Sequence, residues 1–233
     1  MTIILTIALL FLISASAHAD PAPTIVAFGD STTAPRGNLV VYASLLQQQF
    51  PSARVINAGV GGNSTVEARA RFERDVLAHD PALVIIQFGI NDSAVDVWKG
   101  ADQPRVPLTD YAQNLAYFVQ TLRQRGAAVI LMTPNPMCWT DQLKEMYGKP
   151  PYHPDDPDGF NVLLKQYAQQ MRNLAAEEDV PLADAYAAFE QFDRVEGQSV
   201  SDLLLDGMHP NDRGHALETA LLLPHVRRVL EGE

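Results

Sequence analysis

Four short segments carry residue types that can act together on a carbonyl group. Phe28-Gly29-Asp30-Ser31 ends in a hydroxyl that a glycine turn can set at the edge of a sheet. Asn57-Ala58-Gly59-Val60-Gly61-Gly62-Asn63-Ser64-Thr65 leaves backbone N–H groups bare enough for a ligand to approach closely. Gly89-Ile90-Asn91-Asp92 offers the Asn91 side-chain amide as a donor to developing negative charge. Asp206-Gly207-Met208-His209-Pro210 spaces a carboxylate and an imidazole so that one tight turn brings both to one side. The carboxylate then orients Nδ1–H of His209 and leaves Nε2 to take a proton from Ser31, which is the arrangement needed for nucleophilic acyl transfer.

Each segment alone also has a plainer reading. Gly-Asp-Ser is an ordinary turn tripeptide, and Asp30 or Ser31 can cap a helix. The glycine-rich segment imitates a dinucleotide fingerprint, but it lacks the third glycine and follows the second strand rather than the first. Ser64 or Thr65 can cap the helix after it, a role compatible with either reading. Asn91 at a strand end can form an Asx-turn.

Short Val- and Ile-rich runs alternate with stretches of helical period, the pattern of a parallel sheet covered by helices. Strands are predicted over Thr24 to Asp30, Arg54 to Val60, Leu83 to Gly89, Ala127 to Thr133 and Val180 to Ala185. Helices are predicted over Leu39 to Phe50, Thr65 to His79, Asp110 to Arg125, Phe160 to Glu178 and Arg213 to Leu230. Thr109 or Asp110 would cap the third helix and Gly126 would end it. The expected fold is a three-layer α/β/α sandwich on a five-stranded parallel sheet of flavodoxin-like order 2-1-3-4-5. Ligands of such sheets bind beyond the carboxyl ends of the strands, where all but the last of the four segments lie.

These segments, in this order, resemble the SGNH/GDSL hydrolase superfamily over essentially the whole chain after the leader. The resemblance implies a serine ester hydrolase with Ser31 as nucleophile and Asp206 and His209 as its activating pair. It also implies an oxyanion hole of the Ser31 N–H, Gly62 and Asn91. Gly59, Gly61 and Gly62 are neighbours, and a small change of register moves that contact. Thr32 departs from the pattern, standing where the superfamily's shorthand name has leucine.

The chain has 233 residues, 47% of them apolar and 19% charged, enough for one sizeable core and ordinary for a globular protein. Its net charge of −11 opposes nucleic acid and anionic membrane surfaces. Cys138 is the only cysteine, so no intrachain disulfide forms; a small, half-buried apolar role suits it better than that of a nucleophile. Ile3 to Ile13 is apolar apart from Thr6, and small residues follow, ending in Ala17-His18-Ala19. This is the layout of a signal peptide over 1–19, cleaved before Asp20, although Met1-Thr2 brings no Lys or Arg. Export to the periplasm or beyond follows, with a single catalytic domain over 20–233. The run is shorter than the roughly 20 residues of a membrane span, and no cysteine follows it to carry a lipid, so no stable membrane anchor is expected.

The run Asp155 to Gly159 lacks the later glutamate of a calcium loop, and neither metal nor cofactor is expected. His79, His153, His215 and His225 are read as solvated or capping. Substrate choice falls to two long loops, Asp92 to Leu108 and Pro134 to Asp158. Trp139, Tyr147 and Tyr152 in the second can stack on a sugar face, or can simply pack the loop. Similarity to the carbohydrate-esterase members of the superfamily, together with export, points to acetyl groups on carbohydrate. A lipolytic esterase or thioesterase is the second reading, with Trp98, Val106 and Leu108 lining an apolar groove. A third is a glycan-binding protein that keeps the fold without the activity. The expected partner is a small-molecule or polysaccharide ester, and not nucleic acid.

Overall fold

Residues 22–232 are described by the structure, a computed structural model. The expected leader over 1–19 lies outside them. Five parallel strands, β1 (Thr24–Gly29), β2 (Arg54–Gly59), β3 (Leu83–Gln87), β4 (Ala128–Met132) and β5 (Leu182–Ala183), form one sheet of order β2-β1-β3-β4-β5. The predicted fold class and strand order are those observed. Between the strands run α1 (Tyr42–Gln49), α2 (Thr65–Asp75), α3 (Ile90–Ser93), α4 (Leu108–Gln124), α5 (Asp141–Tyr147), α6 (Leu164–Glu177), α7 (Ala185–Asp193) and α8 (Asp212–Glu231).

The layers follow from the alternation of side chains along each strand. Val26, Val84 and Val129 stand in register across β1, β3 and β4, as do Phe28, Ile86 and Leu131 one pleat on. This face packs against Phe72 of α2, Phe118 of α4 and Met171 of α6. Ala27, Ile85 and Ile130 point to the other face and meet Leu46 of α1 and Leu222 of α8. Both faces are thereby closed, which is why these strands read as continuous apolar runs.

Several boundaries differ from expectation. Predicted strand β5 keeps two residues because Pro181 offers no N–H and Asp184 already caps α7, its side chain accepting from Ala187 N–H at 3.1 Å. Helix α4 starts at Leu108 after Pro107, so neither Thr109 nor Asp110 is its cap. Gly126 does follow its end with φ +80, as a left-handed stop requires. The first long loop begins within α3, the second contains α5, and together they enclose a third apolar cluster around Met137, Tyr152 and Phe160.

Candidate active site

At the end of β1 the chain makes one helical turn, with Thr33 and Ala34 N–H both donating to the Asp30 carbonyl. Asp30 caps it: its Oδ1 accepts from Thr32 N–H at 2.8 Å and Thr32 Oγ1 at 2.9 Å. Capping by Asp30 and exposure of Ser31 therefore coexist. The turn fits only because two glycines precede it in space. A Cβ on Gly29 would meet Thr33 Oγ1 at 2.1 Å, and one on Gly59 would meet Ala34 N at 2.3 Å. Ser31 is left half-buried at the carboxyl edge of the sheet.

The segment ahead of α8 is a tight turn closed by a bridge between Leu204 and Pro210. Asp206 Oδ1 accepts the backbone N–H of Met208 at 3.1 Å and of His209 at 2.9 Å. Gly207 enables this with φ +85, and a Cβ there would lie 2.7 Å from the Cys138 carbonyl. The turn carries the imidazole to Ser31: His209 Nδ1 lies 2.8 Å from Asp206 Oδ2, and Nε2 lies 2.9 Å from Ser31 Oγ. Ser31, His209 and Asp206, 178 and 3 residues apart in the two links, thus form one hydrogen-bonded line.

Burial lowers the pKa of His209, outweighing the bond and charge of Asp206 that raise it. Burial alone would raise Asp206, but the His209 bonds hold it below the ordinary carboxyl range. His209 is accordingly neutral at pH 7, with a proton on Nδ1 and a free acceptor at Nε2. A protonated ring could not take a proton from Ser31, so with His209 as the base, activity is expected to fall as pH falls. The acid limb of kcat/KM for p-nitrophenyl acetate is expected below the ordinary histidine value of 6.5. A limb above that value would contradict the role given to ring burial.

The glycine-rich segment passes beside Ser31, with a Cβ position on Gly61 falling 3.8 Å from Ser31 Cβ. Gly62 is exposed and has φ +77, a backbone that L side chains rarely adopt. Ser64 then caps α2 in a capping box with Glu67. Asn91 sits in the first turn of α3, after Gly89 at φ +139, where a side chain would strike Pro134. It forms no Asx-turn: its Oδ1 accepts from Arg105 Nη1 at 2.9 Å and its Nδ2 donates to Asp30 Oδ2 at 3.3 Å.

Beneath these groups lie two buried carboxyls, and burial raises Asp30 to about 6 and Asp92 to about 7. Asp92 accepts Thr65 N–H at 2.9 Å, tying the start of α2 to α3. Thr32, the departure from the superfamily pattern, is buried and joins a polar chain. Its Oγ1 reaches Gln87 Oε1 at 3.2 Å, Gln87 Nε2 donates to Glu218 Oε1 at 3.0 Å, and Glu218 Oε2 lies 2.9 Å from His215 Nδ1. His215 is 2% exposed, which corrects its reading as solvated or capping. His225 is corrected in part, since burial lowers its pKa and its Nδ1 is enclosed with no hydrogen-bond partner among the described residues.

The aromatic residues of the second loop divide. Tyr147 and Tyr152 are 7% and 3% exposed and pack with Phe160, and the Tyr152 hydroxyl accepts from Val95 N–H at 2.8 Å. Neither offers a face to a sugar, because the loop folds over its own apolar cluster. Instead both line a cavity of about 40 Å³ with Asn91, Arg105, Met137 and Met208. Trp139 remains half-buried; one face stacks on Phe160 at 4.4 Å and its indole N–H donates to the Asp156 carbonyl at 3.0 Å. It stands on the wall of a groove of about 620 Å³, which shares Met137 with the small cavity.

The apolar groove expected from Trp98, Val106 and Leu108 does not form. Val106 and Leu108 belong to the core under the sheet, whereas Trp98 is 49% exposed with Lys99 over its ring. Cys138 is half-buried, and burial pushes its thiol up to about 11, away from nucleophilic use. Arg36, whose Nη1 lies 3.6 Å from Asp206 Oδ2, and Arg105 are two site residues that the sequence did not single out.

Residues 27–217 match the family model of the GDSL-like Lipase/Acylhydrolase family. Among curated proteins the chain is 30% identical to the uncharacterized lipoprotein YqeF of Bacillus subtilis, over 79% of each chain. It is 29% identical to an acetylxylan esterase of Geobacillus stearothermophilus, covering 82% of this chain and 80% of that one. The crystal structure of a lipase/acylhydrolase from Enterococcus faecalis superposes with a TM-score of 0.67 at 25% identity, over 88% of this chain and 95% of that chain. That of Axe2, an acetylxylan esterase from Geobacillus stearothermophilus, gives 0.66 at 25% identity, over 89% and 96%.

Proposed function

This chain belongs to the GDSL-like lipase/acylhydrolase family and is a serine esterase, and from that premise we propose that it removes short acyl groups, acetyl foremost, from carbohydrate. Ser31 Oγ attacks the ester carbon while its proton passes to His209 Nε2, and Asp206 holds the imidazolium that results. The tetrahedral oxyanion is held by the backbone N–H groups of Ser31 and Gly62 and by Asn91 Nδ2. As the ester C–O bond breaks, His209 returns the proton to the departing alkoxide. Water, deprotonated by the same imidazole, then releases the acid from Ser31.

The observation that carries the short-acyl reading is the cavity of about 40 Å³ bounded by Asn91 and by Met208, the residue before His209. A single water needs roughly 10–15 Å³ on this measure, so the space suits a methyl group and a little more. Tyr147, Tyr152 and Phe160, all buried, are part of its wall, so a longer acyl chain would meet packed aromatic rings. The larger groove with Trp139 on its wall, which shares Met137 with this cavity, is of a size to hold sugar rings. The likeness to the acetylxylan esterase of Geobacillus stearothermophilus, 29% identical over most of both chains, supports the same class of substrate. We also propose that the enzyme is exported, on the apolar run over 3–13 and the small residues through Ala19. Among the described residues no helix is long and apolar enough to cross a membrane.

The test is kcat/KM on p-nitrophenyl esters from acetate to octanoate, with acetate release from an acetylated neutral oligosaccharide in parallel. One excess methylene in a filled pocket costs roughly tenfold or more. Acetate is therefore expected to exceed butyrate by at least about tenfold, and the oligosaccharide is expected to be deacetylated. A preference for octanoate would replace this reading with the lipolytic one.

A further inference from the structure

The side-chain amide of Asn91 has a charged neighbour at each end. Arg105 Nη1 donates to Oδ1 at 2.9 Å, and Nδ2 donates to Asp30 Oδ2 at 3.3 Å. The second Nδ2 hydrogen has no acceptor among the described residues. Arg105 is held in turn: its Nη2 and Nε donate to the two oxygens of Asp96 at 2.8 and 3.2 Å. The backbone around it is stapled to α3, with Arg105 N–H on the Ala94 carbonyl at 2.9 Å and Val106 N–H on the Asp92 carbonyl at 3.1 Å.

We propose that Arg105 is a positioning residue for ester hydrolysis, fixing the Asn91 amide so that its free N–H, and not its oxygen, meets the oxyanion. The amide has two ends of nearly equal size, and a half-turn would aim a carbonyl oxygen at the developing negative charge. A guanidinium has donors only, so it accepts only the Oδ1 end as its neighbour. Its charge also polarises the amide and strengthens the opposite N–H as a donor. The proposal rests on Asn91 as an oxyanion donor and adds a residue that touches no reacting atom.

The experiment compares Arg105→Ala, Arg105→Lys, Asn91→Ala and the Arg105→Ala/Asn91→Ala pair on p-nitrophenyl acetate, with melting curves for each. Asn91→Ala is expected to lower kcat roughly 100- to 1,000-fold. Arg105→Ala is expected to lower kcat on the order of 10- to 100-fold with little change in KM, since the misaimed donor matters in the transition state. Added guanidinium ion restores part of that loss, and Arg105→Lys, which keeps one donor, loses less. The double variant is no slower than Asn91→Ala alone, because the two act as a unit.

Unchanged kcat in Arg105→Ala beside a slow Asn91→Ala would overturn the proposal, as would losses that multiply in the double variant. If Arg105→Ala does not fold, Arg105→Lys combined with Asn91→Ala reads the same coupling. Unchanged kcat in Asn91→Ala itself would show that the oxyanion assignment has failed and would carry the Arg105 proposal down with it.

Discussion

Replacing Ser31 with alanine is expected to lower kcat for p-nitrophenyl acetate by roughly a million-fold, and replacing His209 with alanine by about as much. The two losses should not multiply, because the hydroxyl and the imidazole act as one device through the 2.9 Å contact between Oγ and Nε2. Initial-rate measurements on the two single variants and the double check this. The melting temperature should change little in Ser31→Ala, since Ser31 is half-buried and its side-chain bond is to His209 alone among the described residues. Retained turnover in Ser31→Ala would show that Ser31 is not the nucleophile.

Asp206→Asn is expected to cost roughly 1,000- to 10,000-fold in kcat while leaving the fold intact. The reason lies in the turn itself. Asp206 Oδ1 receives the backbone N–H groups of Met208 and His209, so an asparagine keeps its oxygen there. Its NH2 group then occupies the place of Oδ2, 2.8 Å from His209 Nδ1. A donor at that point competes with Oδ1, itself 3.0 Å from Nδ1, and favours the tautomer with the ring proton on Nε2, which cannot receive the proton of Ser31. Steady-state kinetics measure the loss, and a nitrogen-resolved NMR spectrum of His209 would show the exchanged tautomer. A loss of less than tenfold would mean that the imidazole is oriented by other contacts.

The sheet was legible in the sequence because its inner strands β1, β3 and β4 are buried on both faces and read as apolar runs. Helices α3, α5 and α7 were not, α5 lying inside the stretch read as the second long loop. The four residues of α3 are too few to show a helical period, and α7 begins directly after the edge strand, so its apolar start merged with the strand prediction. The four segments proposed for catalysis could be found because each lies at a strand end or in a turn where residue type is tied to local geometry.

What escaped were partners supplied from a distance. Arg105 is 14 residues from Asn91, and Gln87 is 131 from Glu218, so no local pattern joins either pair. His215 did carry a signal: Glu218 stands three residues after it, one helical turn away, the reverse order of Asp206 and His209. The loop aromatics failed for another reason. Tyr147 and Tyr152 have side chains suited equally to a sugar face and to a loop core, and burial decides between them only in three dimensions.

Whether Ser31 is the nucleophile is read by mass spectrometry of the intact and digested protein after treatment with a serine-directed organophosphonate. One adduct per chain is expected, on the peptide that contains Ser31, formed in step with the loss of esterase activity and absent from His209→Ala on the same time scale. An adduct on another residue, or full activity in protein that carries the adduct on Ser31, would contradict it.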